Sequence, residues 1–421
     1  AESLRAAAAD LRQLDGIDQT LIESLPGEAR TLHRLLGSIP DSPQFRHGLE
    51  QPLPFDVVVV DEASMVDLPL MCKLAEAVAD GARLILLGDR DQLPSVEAGD
   101  VLAAIDDAAG MDHAMPSGLA NSLAPLLGPT HGAASDERSC AGTSPLAGHR
   151  VRLQRGYRQS GELDLAPLSA AIRAGDADLA LSLLRAGELA GVHFHEDVRD
   201  PLSSPHPAMS AAGQDPSDPQ PSAANGNSLL ATWSGLADAP DPEAALALAA
   251  RVRLLTALRE GAQGSRALNA RIEAALAGTH HSGYFPGRLL LVTENSYRHG
   301  LFNGDIGVCM HERGAEAAGR IVAWFPGGDG VRGFHPSALP AHESAFAMTV
   351  HKSQGSEFDR VWLQLPRNDG RGVSRELLYT AVTRARREVH VCASEAVLRG
   401  AIARHVERVS GLAWRLRGDP G

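Results

Sequence analysis

Two acidic residues, Asp61 and Glu62, directly follow the apolar run Val57–Val60. In an open parallel sheet, ligands bind beyond the carboxyl ends of the strands, so this position suits a nucleotide. Mg²⁺ takes one or two carboxylates together with nucleotide phosphates, and a second carboxylate can orient or deprotonate an attacking water. An acidic pair can equally begin a helix, where the helix dipole favours it, and the pair alone does not separate these interpretations.

A second polar turn, Gly88-Asp89-Arg90-Asp91-Gln92, follows the apolar run Arg83–Leu87. The glycine permits a sharp turn, and Gln92 could contact a γ-phosphate or the water aligned on it. An ordinary turn would look the same. Two polar loops after two neighbouring buried strands favour a nucleotide site over that alternative.

A third set of polar residues follows the apolar start of the segment Ala347–Phe358. Four of its side chains suit contacts with a nucleic-acid backbone: Thr349, His351, Lys352 and Ser353. Three others suit the sugar and phosphates of a nucleotide: Gln354, Gly355 and Glu357.

Two arginines are candidates for phosphate contacts. Arg158, in Leu153–Arg158, could use its planar fork, although a solvated arginine is the simpler interpretation of that segment alone. Arg384 ends an apolar stretch predicted as a helix over 376–386 and could stabilise the charge of a transferring phosphoryl group. A basic helix surface is the alternative for this stretch.

Composition limits the possible classes of protein. The net charge of −13 argues against a protein that coats nucleic acid through its overall field, but residues 345–421 hold 13 Lys and Arg against 8 Asp and Glu, which allows a local basic track. The four cysteines follow no metal-binding spacing and predict isolated thiols in a reducing, cytoplasmic setting. No apolar run approaches the roughly 20 residues of a membrane span.

The alternation of short apolar runs with helical patterns predicts an α/β fold with parallel strands. Val57–Val60 and Arg83–Leu87 show no polar alternation, which predicts strands buried on both faces, with a helix over 68–80 between them. Short β-like segments with Gly-rich turns predict a small β insertion later in the chain. The predicted divisions are 1–106, a first lobe; 107–150, a flexible insertion; 151–288, the first part of a second lobe, with a disordered insertion over 199–242; 289–344, the β insertion; and 345–421, the rest of the second lobe.

Taken in order, five segments resemble the later motifs of superfamily 1 helicases. They read DEASMVD, GDRDQLPSV, LQRGYR, TVHKSQGSEFD and YTAVTRAR. The segments TLHRLLG (31–37), RLLTALREG (253–261), LNARIE (268–273) and LFNGDIG (301–307) narrow the resemblance to the RecD family, the alpha subunits of exodeoxyribonuclease V in RecBCD enzymes. The resemblance covers nearly the whole chain apart from the two insertions.

The resemblance implies two RecA-like lobes of the P-loop NTPase type, the first incomplete, with an SH3-like β insertion in the second. It implies an ATP-dependent, 5′→3′ DNA helicase subunit that acts with RecB- and RecC-like partners at DNA ends in repair and recombination. Asp61 would hold Mg²⁺, Glu62 would be the catalytic base, and Gln92 would couple the nucleotide to the DNA site. Arg158 and Arg384 would contact the γ-phosphate. Nucleotide contacts would further include Gly88, Asp89, Gln354, Gly355 and Glu357, and DNA contacts Thr31, His33, Thr349, His351, Lys352 and Ser353.

One motif of such a motor is missing from the sequence. The phosphate loop, G-x-x-x-x-G-K-S/T, needs a glycine before its lysine, whereas the two lysines of this chain, Lys73 and Lys352, follow Cys72 and His351. We therefore expect an N-terminally truncated piece of the motor that is inactive alone. A non-catalytic DNA-binding or scaffold subunit, or a stand-alone helicase of the same superfamily, is the alternative.

Overall fold

Parallel strands joined by helices form the framework of the chain, so the predicted α/β class is confirmed. The structure is a computed structural model that describes residues 20, 29–39, 42–95, 97, 99–110, 146, 149–153, 162–196, 201–202, 229–278, 283–312, 319–328, 330–406, 408 and 410–418. These residues form two units: a first from Ala1–Arg90, Pro94–Arg150 and Arg408–Gly421, and a second from Asp91–Leu93 and Val151–Glu407. Within the described ranges, no helix is long and apolar enough to cross a membrane.

The first unit contains a βαβ element. Its described elements are α1 (Leu32–Leu36), β1 (Val57–Val60), α2 (Leu68–Ala77), β2 (Arg83–Leu86), α3 (Val101–Ala109) and α11 (Leu412–Arg417). The two strands pair in parallel from Val57 opposite Arg83 to Val60 opposite Leu86. Helix α2 begins where the Asp67 carboxylate accepts a hydrogen bond from the Leu70 amide at 2.8 Å, which satisfies a backbone donor at the helix start.

Only one face of this strand pair is buried, so the prediction of strands buried on both faces is wrong. Val58 and Val60 pack in a core with Leu36 and Leu74, whereas Val57 and Val59 are 50% and 56% exposed. The helices described in this unit pack against one face of the pair. An unbroken run of valines fits either arrangement, because it contains no polar residue to mark the exposed side.

The C-terminal residues belong to the first unit, which corrects the predicted second-lobe division of 345–421 at its end. Arg408 donates to the Glu97 carbonyl at 2.6 Å, and Arg417, on α11, donates to the Asp107 carbonyl at 2.8 Å. The second of these hydrogen bonds joins α11 to α3. Helix α3 also extends to Ala109, two residues beyond the predicted start of the insertion at 107.

The second unit is built on a five-stranded parallel sheet of order β10-β4-β11-β12-β3. Its strands are β3 (Val192–Glu196), β4 (Val252–Thr256), β10 (Ala347–Thr349), β11 (Phe358–Gln364) and β12 (Ala385–Ala393). Its helices are α4 (Ala166–Ala174), α5 (Ala177–Ala186), α6 (Leu229–Ser234), α7 (Pro242–Ala249), α8 (Ser265–Leu276), α9 (Arg375–Val382) and α10 (Glu395–Ala403). Strand β4, in the interior of the sheet, is buried at every position, as a strand covered on both faces should be.

Helix α6 lies inside the range predicted as the second insertion, 199–242, which is therefore too long at its C-terminal end. Its Trp233 is buried and its ring centroid lies 5.3 Å from that of Phe346. This packing recruits the helix into the core of the second unit. Most of both predicted insertions, 111–145 and 203–228, lies outside the described residues.

A five-stranded antiparallel sheet of order β8-β7-β6-β5-β9 occupies the region predicted to form a β insertion. Its strands are β5 (Leu289–Val292), β6 (Ile306–His311), β7 (Ile321–Gly327), β8 (Gly330–Phe334) and β9 (His342–Ser344). Its core packs Leu290 and Cys309 around Phe325, and burial raises the pKa of the Cys309 thiol to about 12. Position 307 must be glycine because a Cβ there would lie 2.6 Å from the Phe325 ring.

One buried side chain, Asn269 on α8, fixes the connection between β9 and β10. Its amide nitrogen donates to the Ser344 carbonyl at 3.0 Å and to the Ala347 carbonyl at 2.8 Å. Its oxygen accepts from the Ala347 amide at 2.7 Å. The side chain thus satisfies three backbone groups where the chain leaves the antiparallel sheet for the parallel one.

We predict that Asn269→Ala lowers the free energy of unfolding by about 3 kcal/mol, because it leaves buried backbone groups without partners. Chemical denaturation followed by circular dichroism would measure this. Asn303→Ala, at an exposed turn of the antiparallel sheet, is the control and should change stability by less than about 0.5 kcal/mol. Equal effects of the two substitutions would show that the Asn269 hydrogen bonds do not stabilise the fold.

Candidate nucleotide and nucleic-acid sites

The acidic pair lies in a strained turn at the carboxyl end of β1. Glu62 has φ 53°, and it is the one non-glycine residue with positive φ in the part of the chain that the structure describes. The Asp61 carboxylate accepts a hydrogen bond from the Glu62 amide at 3.0 Å, and Asp61 is exposed. Backbone strain of this kind costs on the order of 1–3 kcal/mol and tends to occur at functional sites.

The loop after β2 packs directly against this acidic turn. The Ala63 amide donates to the Leu87 carbonyl at 2.8 Å. A Cβ at position 88 would lie 3.2 Å from the amide nitrogens of Ala63 and Ser64 and 2.7 Å from a methyl carbon of Leu102. Gly88 is therefore required for close approach, and the two polar loops predicted from sequence lie together. Arg90 binds the carboxylate of Asp107 at 2.8 Å and that of Asp106, which holds the second loop on α3.

The three residues after Arg90, Asp91–Leu93, belong to the second unit. The Leu93 amide donates to the Thr380 hydroxyl at 2.8 Å, and the Gln354 side-chain amide donates to the Leu93 carbonyl at 2.7 Å. Leu93 itself is buried in the main core of that unit. Three segments singled out from the sequence therefore meet at one backbone residue, next to the half-buried Gln92.

Thr380 was missed as a candidate by sequence reasoning. It is fully buried on α9, between Tyr379 and Ala381, in a helix whose residues from Glu376 onward are all buried. A threonine on such a helix signals a buried hydroxyl that needs a partner. The partner, 287 residues away in sequence, could only be found from the tertiary structure.

Arg384 and Arg386 lie outside the helix in which they were predicted. Helix α9 ends at Val382, where the Thr383 hydroxyl donates to the carbonyls of Tyr379 and Thr380 at 3.0 Å, and β12 begins at Ala385. Arg386, on β12, forms an ion pair with Glu357 at 3.0 Å.

The Arg384 guanidinium faces the interior of the second unit, whereas an arginine finger has to be accessible to the nucleotide. The residue is 4% exposed, and it donates to the Thr380 carbonyl at 3.1 Å and to the Ser356 carbonyl at 3.4 Å. A contact with a phosphate would require this side chain to change rotamer. Arg158, the other candidate, lies outside the described residues.

The candidate backbone-binding segment forms a 3₁₀ turn, Val350–Ser353, at the end of β10. The Thr349 hydroxyl accepts from the Lys352 amide at 3.4 Å and caps the turn. Ser353 is 0% exposed and its hydroxyl donates to the Val350 carbonyl at 2.8 Å, so a DNA contact by this side chain does not fit the structure. His351 and Lys352 are partly exposed.

One glycine and one acidic residue complete this segment. Gly355 has φ +74°, in the left-handed region, and a Cβ there would meet no atom within 4 Å, so its backbone is open to a ligand. Glu357 is held by Arg386. The Lys352 ammonium lies 2.5 Å from a carboxylate oxygen of Glu343 on β9.

The first-unit candidates for DNA contact, Thr31 and His33, are exposed at α1. The Thr31 hydroxyl accepts from the Arg34 amide at 3.4 Å and caps the helix, while the His33 ring meets the Phe45 ring edge-on at 5.7 Å. Within the described residues, no three His, Cys, Asp or Glu side chains gather closely enough to hold a metal on their own.

We predict that Thr380→Val speeds amide exchange at Leu93 about tenfold, because valine cannot accept the hydrogen bond of the Leu93 amide. Hydrogen–deuterium exchange mass spectrometry of peptides that contain Leu93 would measure the effect. Thr383→Val is the matched control, since the Thr383 hydroxyl bonds only to helix carbonyls and to Arg384 among its described partners. Unchanged exchange in Thr380→Val would contradict the role of this bond.

Two family descriptions match parts of the chain. Residues 15–98 match an AAA domain, and residues 344–392 match a UvrD-like helicase C-terminal domain. The first match contains the acidic pair and the Gly88 loop. The second contains the 3₁₀ turn, Gln354 and Arg384.

Relatives match over almost the whole chain. The RecBCD enzyme subunit RecD of Mycobacterium tuberculosis is 39% identical over 98% of this chain and 62% of its own length. The subunit RecD of Haemophilus influenzae is 33% identical over 98% of this chain and 62% of its own length. The ATP-dependent RecD2 DNA helicase of Deinococcus radiodurans is 28% identical over 92% of this chain and 43% of its own length.

The chain spans about three-fifths of the length of its RecD relatives. The matched span covers 98% of this chain and therefore includes residues of both units. Over that length the chain is similar to the RecD subunits of RecBCD enzymes, and its two helicase-type matches agree with this similarity.

Proposed function

We propose that the chain forms the ATP-dependent motor of a DNA helicase subunit in a RecBCD-type exodeoxyribonuclease V complex. The observation that carries the proposal is the double hydrogen bond of Leu93 to Gln354 and Thr380. Within the second unit, it joins the residue next to Gln92 to the segment of the candidate DNA site. A motor needs such a link, because the state of the bound nucleotide must change the affinity of the protein for the DNA strand.

The acidic turn supplies the chemistry of hydrolysis in this proposal. The exposed carboxylate of Asp61 fits the preference of Mg²⁺ for carboxylates, and the glycine at position 88 lets the second polar loop pack closely against the acidic turn. When bound, ATP and Mg²⁺ would supply the reacting phosphoryl group and neutralise its charge. The Glu62 carboxylate would orient the attacking water and accept its proton, and Gln92 would sense the γ-phosphate.

The remaining nucleotide contacts are proposed on the motif resemblance together with their positions. Gly355 and Glu357 would lie near the sugar and phosphates, together with Gly88, Asp89 and Gln354. Arg158 and Arg384 would stabilise the charge on the transferring group. For Arg384 this requires release of its two backbone carbonyl partners.

Thr349, His351 and Lys352 would hold the DNA backbone in the second unit, with Thr31 and His33 doing so in the first. By family resemblance, we propose 5′→3′ translocation along single-stranded DNA from a duplex end, with RecB- and RecC-like partners, in double-strand-break repair and recombination in the cytoplasm. The UvrD-like match supports a helicase over a scaffold function, and the RecD relatives support a subunit of a complex over a stand-alone helicase.

We predict that the 421-residue chain alone shows no DNA-stimulated ATP hydrolysis above background, because its sequence contains no phosphate loop to grip the β- and γ-phosphates. A coupled ATPase assay with single-stranded DNA would test this. Robust turnover that Glu62→Gln abolishes would contradict the prediction and would point to a different phosphate-binding device. DNA binding without turnover would leave the scaffold alternative open for this chain.

A polypeptide in which a phosphate-loop segment precedes this chain should hydrolyse ATP when DNA is present. In that polypeptide, Glu62→Gln should lower turnover by about 10³-fold while nucleotide binding persists, because only the acceptor of the water proton is lost. Glu50→Gln, which changes an exposed carboxylate of the same unit, is the control and should leave turnover within about twofold. Equal turnover in the two variants would exclude Glu62 as the base.

A further inference from the structure

A single carboxylate holds two cations at the candidate DNA-binding segment. One oxygen of Glu343 lies 2.5 Å from the Lys352 ammonium, and its other oxygen lies 3.1 Å from the Arg259 guanidinium. All three side chains are partly exposed. Lys352 is also one of only two lysines in the sequence.

Structured backbone fixes each of the three groups. Glu343 lies on β9, opposite Leu291 of β5, and the Asn269 side chain binds the carbonyl of the next residue. Lys352 lies in the capped 3₁₀ turn. The loop that carries Arg259 is closed by a hydrogen bond from the Arg266 amide to the Arg259 carbonyl at 3.1 Å. Lys352, Glu343 and Arg259 thus form an ion-pair bridge that is built from three separate segments of the second unit.

The bridge contributes little to stability. Exposed or half-exposed ion pairs each stabilise a fold by about 0–1 kcal/mol, and salt screens them. The fold in this region is held instead by the buried Asn269. A weak ion pair can, however, be displaced by a competing anion, and a nucleic-acid phosphate is such an anion.

The charges of the bridge determine how strongly it attracts a phosphate. Two cations and one carboxylate leave a net charge of +1, whereas the cations alone would present +2 to a DNA strand. Each cation that engages a phosphate releases a counterion, which adds about 0.7 to the slope of log affinity against log salt for single strands. The carboxylate therefore reduces both the affinity and its salt dependence.

We propose that Glu343 competes with the DNA backbone for Lys352 and Arg259 and so keeps the grip of the second unit weak enough for the strand to be released at each step. This inference rests on the proposed DNA-binding function of the 349–352 segment. The ligand is a phosphodiester backbone, and Glu343 is a residue that sets its affinity without contacting it. An alternative is that Glu343 positions the two cations for DNA, and it makes the opposite prediction for affinity.

The test is the binding of a fluorescent oligo-dT to the 421-residue chain, measured by anisotropy over a range of salt concentrations. Glu343→Gln is expected to raise the affinity about fivefold at low salt and to steepen the salt slope by about 0.7 to 1.4. Glu312→Gln is the matched control: Glu312 is also ion-paired with an arginine, Arg320, at the end of a strand of the same sheet, and the substitution removes the same charge. It should change the affinity by less than about twofold.

A double variant tests the competition directly. Lys352→Gln alone should weaken the binding of oligo-dT. Adding Glu343→Gln to Lys352→Gln should raise the affinity by less than half of the increase that Glu343→Gln causes in the chain that keeps Lys352, because one of the two cations is gone. The proposal would be overturned if Glu343→Gln and Glu312→Gln bound oligo-dT with equal affinity. It would also be overturned if Glu343→Gln bound oligo-dT more weakly than the wild type while its thermal melt was unchanged. Failure of the wild-type chain and of all variants to bind oligo-dT would instead overturn the proposed DNA-binding function.

Discussion

Both backbone hydrogen-bonding groups of Leu93 bind side chains from distant parts of the chain, and the candidate motor depends on this constraint. The amide is held by Thr380 and the carbonyl by Gln354, in a buried environment where an unsatisfied peptide group would cost about 1–3 kcal/mol. The three residues Asp91–Leu93 belong to the second unit, whereas the residues on either side of them belong to the first. Gln92, between them, has a position set by the same bonds.

Two arginine side chains, Arg253 and Arg384, act as internal cross-links in the second unit. The sequence has 39 basic residues, of which only Lys73 and Lys352 are lysine. Arg253, on β4, is fully buried, donates to the Ala249 carbonyl at 3.0 Å and lies 4.9 Å from the centre of the Phe358 ring. Burial lowers its pKa to about 10, so the guanidinium still carries its charge at neutral pH. Arg384 follows the same pattern, so an arginine that a motif resemblance assigns to a phosphate here binds backbone carbonyls instead.

Sequence patterns predicted the strands and helices well where apolar runs were long. They predicted β1, α2 and β2 in order, a small β segment over 289–344, and the α/β class. They failed where contacts with residues elsewhere in the chain determine burial or the end of an element. The alternation of burial on β1 cannot be read from four valines, and the end of α9 depends on the Thr383 hydroxyl and on the pairing of β12 with β11.

The residues of the candidate sites could be named from the sequence because polar residues after apolar strands stand out against their surroundings. Asp61, Gly88, Gln354 and Gly355 all lie at strand ends or in turns, as those patterns predicted. Thr380 and Glu343 could not be found in this way, since their partners lie elsewhere along the chain.

By itself, the sequence determined the α/β class and the position of the polar loops, because local apolar periodicity and turn residues act over short distances. Only the tertiary structure decided which side chains remain accessible. It placed Ser353 and Arg384 inside the second unit and joined Lys352 to Glu343. The physical reason is that burial and ion pairing are properties of groups brought together by folding, and no pattern along the chain encodes which groups will meet.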